Sequence, residues 1–222
     1  MPRPPRFFEA QILGAAASLV AEGGPSAATI AAIGGLLGAS WGSIYHRFPV
    51  RHVLLGRLWL SKAAFFQDKF AEALMHPDPH SAGLEAALSL PRSTRADFAG
   101  ARIMLLYRRE DFLSGEWPPD MAAEAIRLKG QVDDAMEGIA RRIFGRLSTE
   151  GTRLVKFTMI DVPFAAVRRH VAANEMPPAY VDELVRRAYL ALMTPEAAGA
   201  ATPRPRPTRA SRRTQTVRDS DK

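Results

Sequence analysis

Residues 37–48, Leu37-Gly38-Ala39-Ser40-Trp41-Gly42-Ser43-Ile44-Tyr45-His46-Arg47-Phe48, read as a tight turn followed by a short capped helix that presents polar groups outward. A sharp helix-to-helix turn needs a residue free to take an unusual backbone conformation, and Gly38 supplies it. Ser40 is expected to cap the next helix, its hydroxyl accepting from the Ser43 amide. Ile44 and Phe48 stand four apart and face inward together. Ser40, Trp41, Ser43, Tyr45 and His46 are left mostly on the other faces, where hydroxyl, indole and imidazole groups suit contacts with phosphates and base edges. An ordinary short helix with a solvated face has the same local pattern, so the flanks must decide.

Upstream, Phe8, Ile12, Ala15, Ala16, Leu19 and Val20 recur at helical spacing until Gly23-Gly24-Pro25 ends the helix. Thr29 then precedes a second amphipathic stretch, Ile30, Ile33, Leu36 and Leu37, which runs straight into the Gly38 turn. Behind the third helix, Pro49 and Arg51 open a long fourth one. In this order of elements, and in the ASWGSIYHRF segment, roughly the first sixty residues resemble the tetracycline-repressor (TetR) family of transcription factors. The resemblance implies that Thr29 contacts phosphate at the start of the second helix and that Ser40 caps the third and contacts phosphate. It implies also that Trp41, Gly42 and Ser43 face base edges and that Tyr45 and His46 grip the backbone. Arg51 stands where the family often has a Lys, and Arg6 adds to a modest local excess of Arg over Glu9 and Glu22. Two departures stand out. Trp41 replaces a commonly basic residue, which trades phosphate attraction for contact with thymine methyls. Gly34-Gly35 weakens the second helix by roughly 1 kcal/mol per Gly relative to Ala.

The chain has 222 residues, of which 47% are hydrophobic, enough for a sizeable core. It has no Cys, which excludes disulfides, thiolate metal sites and cysteine nucleophiles and is compatible with a reducing cytoplasm. Neither an apolar signal core nor a run approaching the roughly 20 apolar residues of a membrane span is present, so a soluble cytoplasmic protein is expected. Five of the seven formal positive charges fall after residue 200, where arginines meet only Asp219 and Asp221. The segment 197–222 is accordingly read as a disordered basic tail, serving solubility or a weak non-specific grip on DNA.

From Arg51 to about Met75 one long helix is expected, broken by His76-Pro77-Asp78-Pro79. Further helices are expected at roughly 82–90, 94–109, 119–145, 149–174 and 178–193, with Pro91, Pro118-Pro119, Pro177-Pro178 and Pro195 as punctuation and Pro163 as a kink costing about 3 kcal/mol. The helices around 150–193 carry broad apolar faces. Such faces close the chain's own core or meet a second copy. The TetR resemblance implies a four-helix dimer interface here, with Phe157, Ile160, Phe164, Val167, Leu184, Tyr189 and Leu192 in it. The resemblance likewise implies an effector cavity for an apolar or aromatic small molecule, lined by Phe65, Phe66, Phe98, Arg102, Leu105, Leu106, Tyr107, Phe112, Trp117 and Met121. Packing in the core is the alternative for each of these residues. Arg102, placed among apolar residues, can pair with an acidic ligand or with a neighbouring carboxylate.

No convergent nucleophile, base and orienter, no phosphate loop and no dinucleotide fingerprint is present, and the five His are scattered. Neither enzyme activity, cofactor nor metal is expected. The sequence therefore reads as an all-α protein with a three-helix, helix-turn-helix DNA-binding head (1–50) and a larger helical ligand-binding and dimerisation body (51–196). The expected function is a ligand-responsive transcriptional regulator, a repressor that binds a palindromic double-stranded operator as a homodimer. The alternative is a small-molecule-binding or scaffolding helical protein that has lost sequence-specific DNA binding.

Overall fold

Every periodic apolar stretch becomes a helix. The computed structural model describes residues 9–112 and 116–193, and only the backbone of Trp41; Arg6 and the basic tail lie outside the described residues. In chain order the helices are α1 (Glu9–Gly23), α2 (Ile30–Leu37), α3 (Trp41–Tyr45), α4 (Arg51–Leu74), α5 (Pro79–Ala96), α6 (Phe98–Leu106), α7 (Pro119–Phe144), α8 (Thr149–Lys156), α9 (Val162–Ala172) and α10 (Tyr180–Leu192). Short 3₁₀ turns at Pro25–Ala27 and Arg109–Phe112 and a π turn at Phe157–Asp161 join some of them, and no strand occurs among the described residues.

The head forms as its local chemistry dictates. Thr29 caps α2, its hydroxyl accepting from the Ala32 amide at 3.1 Å. Gly38 ends α2 in the left-handed conformation, φ 60°, and its amide and that of Ala39 return to the carbonyls of Gly35 and Gly34. Ile12, Ala16 and Val20 of α1, Ile33 of α2, Ile44 of α3 and Leu54 and Leu58 of α4 are then wholly buried together. Each large apolar side chain so buried contributes about 1.5–3 kcal/mol. This core does not close at residue 50. Ile103 of α6 and Phe112 are buried in it as well, so the head's interior is completed by residues far along the chain.

In the body, α4 runs for about 36 Å and packs against α5 and α7. Arg142 of α7 closes the end of α4, donating to the carbonyls of Leu74 at 2.7 Å and His76 at 2.6 Å. Asp78 caps α5, and the donated Ser81 amide holds its carboxyl below the usual Asp range. Pro91 does not punctuate: it lies buried inside α5, and the break comes instead at Asp97. There the Asp97 carboxylate accepts from the Gly100 amide at 2.9 Å and from Lys62 of α4 at 2.7 Å, capping α6 and tying it to α4. The expected helix 149–174 is split by the π turn, which stands just before Pro163, a residue with no amide to offer the preceding turn. On the far side, Tyr189 of α10 seats its ring against Gly83 of α5 and donates its hydroxyl to the His80 carbonyl at 3.0 Å. Burial, reinforced by the Asp78 charge, pushes its pKa up to about 12.

Candidate DNA interface and apolar cavity

Ile44 and Phe48, 0% and 3% exposed, anchor α3 to the head and leave its other face in solvent. Ser40, Gly42, Ser43, Tyr45 and His46 are all exposed, as is Thr29 at the start of α2, so these residues present one polar outer surface. Ser40 departs from its expected role. Its hydroxyl pairs with the Ser43 hydroxyl at 3.0 Å, and the Ser43 amide donates to the Ser40 carbonyl instead, so the side chain makes no cap hydrogen bond to the backbone. Trp41 begins α3, with Gly42 beside it leaving open space where a Cβ would stand.

Arg51, which the resemblance groups with the DNA-binding residues, is engaged within the chain. Its guanidinium turns inward, donating to the Ala28 carbonyl at 3.0 Å and to the Pro25 carbonyl. These carbonyls belong to the α1–α2 connection, whose orphan acceptors a planar multi-donor group satisfies well. Arg51 therefore ties the first turn of α4 to the α1–α2 connection.

A cavity of about 220 Å³ lies in the body between α4, α5, α6, α7, the π turn and α9. Among the described residues its wall is apolar apart from Gln67 and Ser89, with no charged side chain in it. A larger cleft between α4 and α5, about 480 Å³, is walled by Lys69, Glu72, Glu85 and Arg92, which already pair with one another. Of the residues expected to hold an effector, Phe66 and Leu105 line the apolar cavity. Phe65 stands edge-on to Phe66 behind that wall, and Phe98 and Leu106 pack against the body's core.

The remaining members of that set serve other ends. Tyr107 and Phe112 stack edge to face, Phe112 fully buried in the head core and Tyr107 packed on it, its ring reaching Gly24. Trp117 and Met121 pack on Gly56 and brace α7 against α4. Arg102 is engaged with backbone carbonyls and not with a neighbouring carboxylate. It donates to the carbonyl of Ala21 in the last turn of α1 at 2.7 Å and to that of Val171 in the last turn of α9 at 2.9 Å. A cation at two helix C-termini is favoured by both helix dipoles. Sequence reasoning missed Gln67, Phe70, Met104 and Met159 of the cavity wall, because apolar periodicity does not say which core positions leave space and gives no signal for a polar Gln67.

The residues expected at a dimer interface also divide. Phe157, Phe164 and Leu184 are 48%, 36% and 49% exposed and contribute apolar surface among the described residues. Leu192 is half-buried, and Ile160 and Phe164 reach the cavity. Val167 and Tyr189 are closed within the chain's own core, 0% and 2% exposed, so they offer nothing to a second copy.

Three short helices with an exposed polar third helix, mounted on a larger helical body with its own cavity, have the arrangement of a helix-turn-helix head on a helical body. Residues 12–58 match the family described as bacterial regulatory proteins, tetR family. The fold is similar to that of the fatty acid degradation regulator FadR from Bacillus halodurans, at TM-score 0.62 and 16% identity over 85% of this chain and 99% of that one. It is similar also to the transcriptional regulator FadR from Bacillus subtilis in complex with stearoyl-CoA, at 0.63 and 14% over 84% and 97%. The TetR family regulator PfmR from Thermus thermophilus aligns at 0.61 and 17% over 82% and 96%. Comparison with curated sequences finds no match. Residues 12–58 are therefore a head of the tetR family type, and the chain as a whole shares the fold of these regulators. No helix among the described residues is long and apolar enough to cross a membrane.

Proposed function

We propose that the protein is a repressor that binds a palindromic operator as a homodimer and leaves it when a small molecule enters the apolar cavity. The position of α6 is the observation that carries this reading. Met104 and Leu105 of α6 line the cavity, Ile103 is buried in the head's core, and Arg102 holds α1. A ligand that displaces α6 therefore acts on the head through direct packing. α4 acts in parallel, since Phe66 and Phe70 line the cavity on the same helix that begins under the head at Arg51. Two arrangements of these helices, one with the heads spaced for successive half-sites and one without, suffice for a switch.

Thr29, Ser40, Trp41, Gly42, Ser43, Tyr45 and His46 form the DNA surface in this reading, and Phe157, Phe164 and Leu184 the centre of the dimer contact. Exposed apolar side chains on α9 and α10 support a second copy as the partner. The test is selection of bound fragments from random DNA followed by anisotropy at several salt concentrations. Recovery of a two-fold symmetric sequence bound at two chains per site is expected. Binding that is equal on all sequences would overturn the reading.

A further inference from the structure

The cavity itself is more specific than its apolar character suggests. Gln67 is the one side-chain amide in its wall, and the Gln67 carbonyl oxygen is buried with no hydrogen-bond partner among the described residues. Buried polar atoms are paired as a rule, and an orphan is an unmet acceptor. The other polar residue in the wall, Ser89, already donates to the Ala86 carbonyl at 2.7 Å. Volume sets the scale of the part of an occupant that the pocket takes in. An engineered cavity of about 150 Å³ holds the six carbons of benzene, so about 220 Å³ takes in roughly nine non-hydrogen atoms, with the mouth open to the surface beyond them. An eighteen-carbon acyl chain on the same scale needs roughly twice that space. The absence of charged groups from the wall makes burial of a carboxylate or phosphate costly.

We propose that the cavity takes a small, neutral, largely apolar molecule bearing a single hydrogen-bond donor, which the Gln67 amide receives. This rests on the cavity being the effector site, and it sets the ligand class apart from the stearoyl-CoA held by the structural relative. A ligand donor that reaches the Gln67 carbonyl oxygen gains a partner and removes the orphan together. Gln67 thereby selects among apolar molecules of equal size.

Calorimetry on the full chain with four probes tests it: indole, its isostere indene, octanoate and stearoyl-CoA. Indole carries nine non-hydrogen atoms and one N–H, whereas indene has the same shape and no donor. Indole is expected to bind about tenfold more tightly than indene, the discrimination of one neutral hydrogen bond, and octanoate and stearoyl-CoA more weakly than indole. In Gln67→Leu the preference for indole over indene should vanish while indene binding persists. Gln67→Met repeats the measurement with an unbranched side chain, and the melting temperature of each variant shows that it is folded. Equal binding of indole and indene by the native chain overturns the inference alone. So does survival of the preference in both variants, or tighter binding of octanoate or stearoyl-CoA. If none of the four binds, the cavity is not a ligand site, and the effector reading falls with the inference.

Discussion

Arg102→Met is the perturbation that most directly examines how head and body are joined. Met keeps the apolar stem that packs within α6 but removes the guanidinium, which separates hydrogen bonding from packing. Two charge-assisted hydrogen bonds disappear, to Ala21 at 2.7 Å and Val171 at 2.9 Å. Bonds to a charged group contribute about 1.5–3 kcal/mol each. Both carbonyls lie in last helical turns where water can replace part of the loss, so the low end applies and about 2–4 kcal/mol is expected in all. For a chain of this size each kcal/mol moves the melting temperature by about 2–4 °C, giving a fall of roughly 4–16 °C. Urea denaturation followed by circular dichroism measures the free energy. Hydrogen exchange should show the last turn of α1 and the last turn of α9 opening sooner than the middle of α4. A variant within about 0.5 kcal/mol of the native protein, with unchanged exchange in α1, would refute the staple. An Arg102 that instead served an acidic ligand would show its loss only when that ligand was present.

Replacing Tyr45 and His46 together by Ala should weaken binding to all DNA alike, whereas Ser43→Ala should alter which sequence is preferred, both read by anisotropy on matched and scrambled fragments. Leu184→Glu with Phe157→Glu places charges on the exposed apolar faces of α10 and the π turn, and sedimentation should show monomers where dimers are expected of the native chain. Tyr189 binds its proton more tightly in the folded chain, so the stability it supports is whole below pH 10 and is lost as pH rises from 10 to about 12; Tyr189→Phe should flatten that decline of about 2–3 kcal/mol in denaturation midpoints taken across the range. Gly56→Ala sets a methyl against Met121 and against the Trp117 indole nitrogen at 2.9 Å, and should cost about 1–3 kcal/mol while leaving α4 helical.

What the sequence made legible is what depends on neighbours along the chain. A positive φ at Gly38, the start of α2 behind Thr29, the stop at Gly23-Gly24-Pro25 and the inward pair Ile44 and Phe48 each follow from a few adjacent residues, and each stands in the structure. What depends on distant partners was not legible. Arg51 and Arg102 present the same side chain to sequence reasoning as any DNA-facing or ligand-facing arginine. Their roles are fixed by carbonyls 23 and 81 residues away. Pro91 illustrates a second limit, because a proline whose cost is met by burial does not break the helix, and burial is a tertiary property. The cavity shows a third. Apolar periodicity gives the inward face of α4 correctly, yet whether Phe66 and Phe70 border space or atoms depends on how α7 and α9 close over them.

Because Ile103 and Phe112 are interior to the head, the reading unit is not a cassette that can be cut at the start of α4. A fusion that grafts residues 9–50 onto a foreign body would expose the wall that Ile103, Tyr107 and Phe112 cover, and its fate would turn on whether the host supplies equivalents. Descent of such regulators by exchange of heads would carry the same constraint. A recombinant lineage survives only if the α6 side chains travel with the head or are matched in advance, so specificity for DNA and the recipient body must change in step.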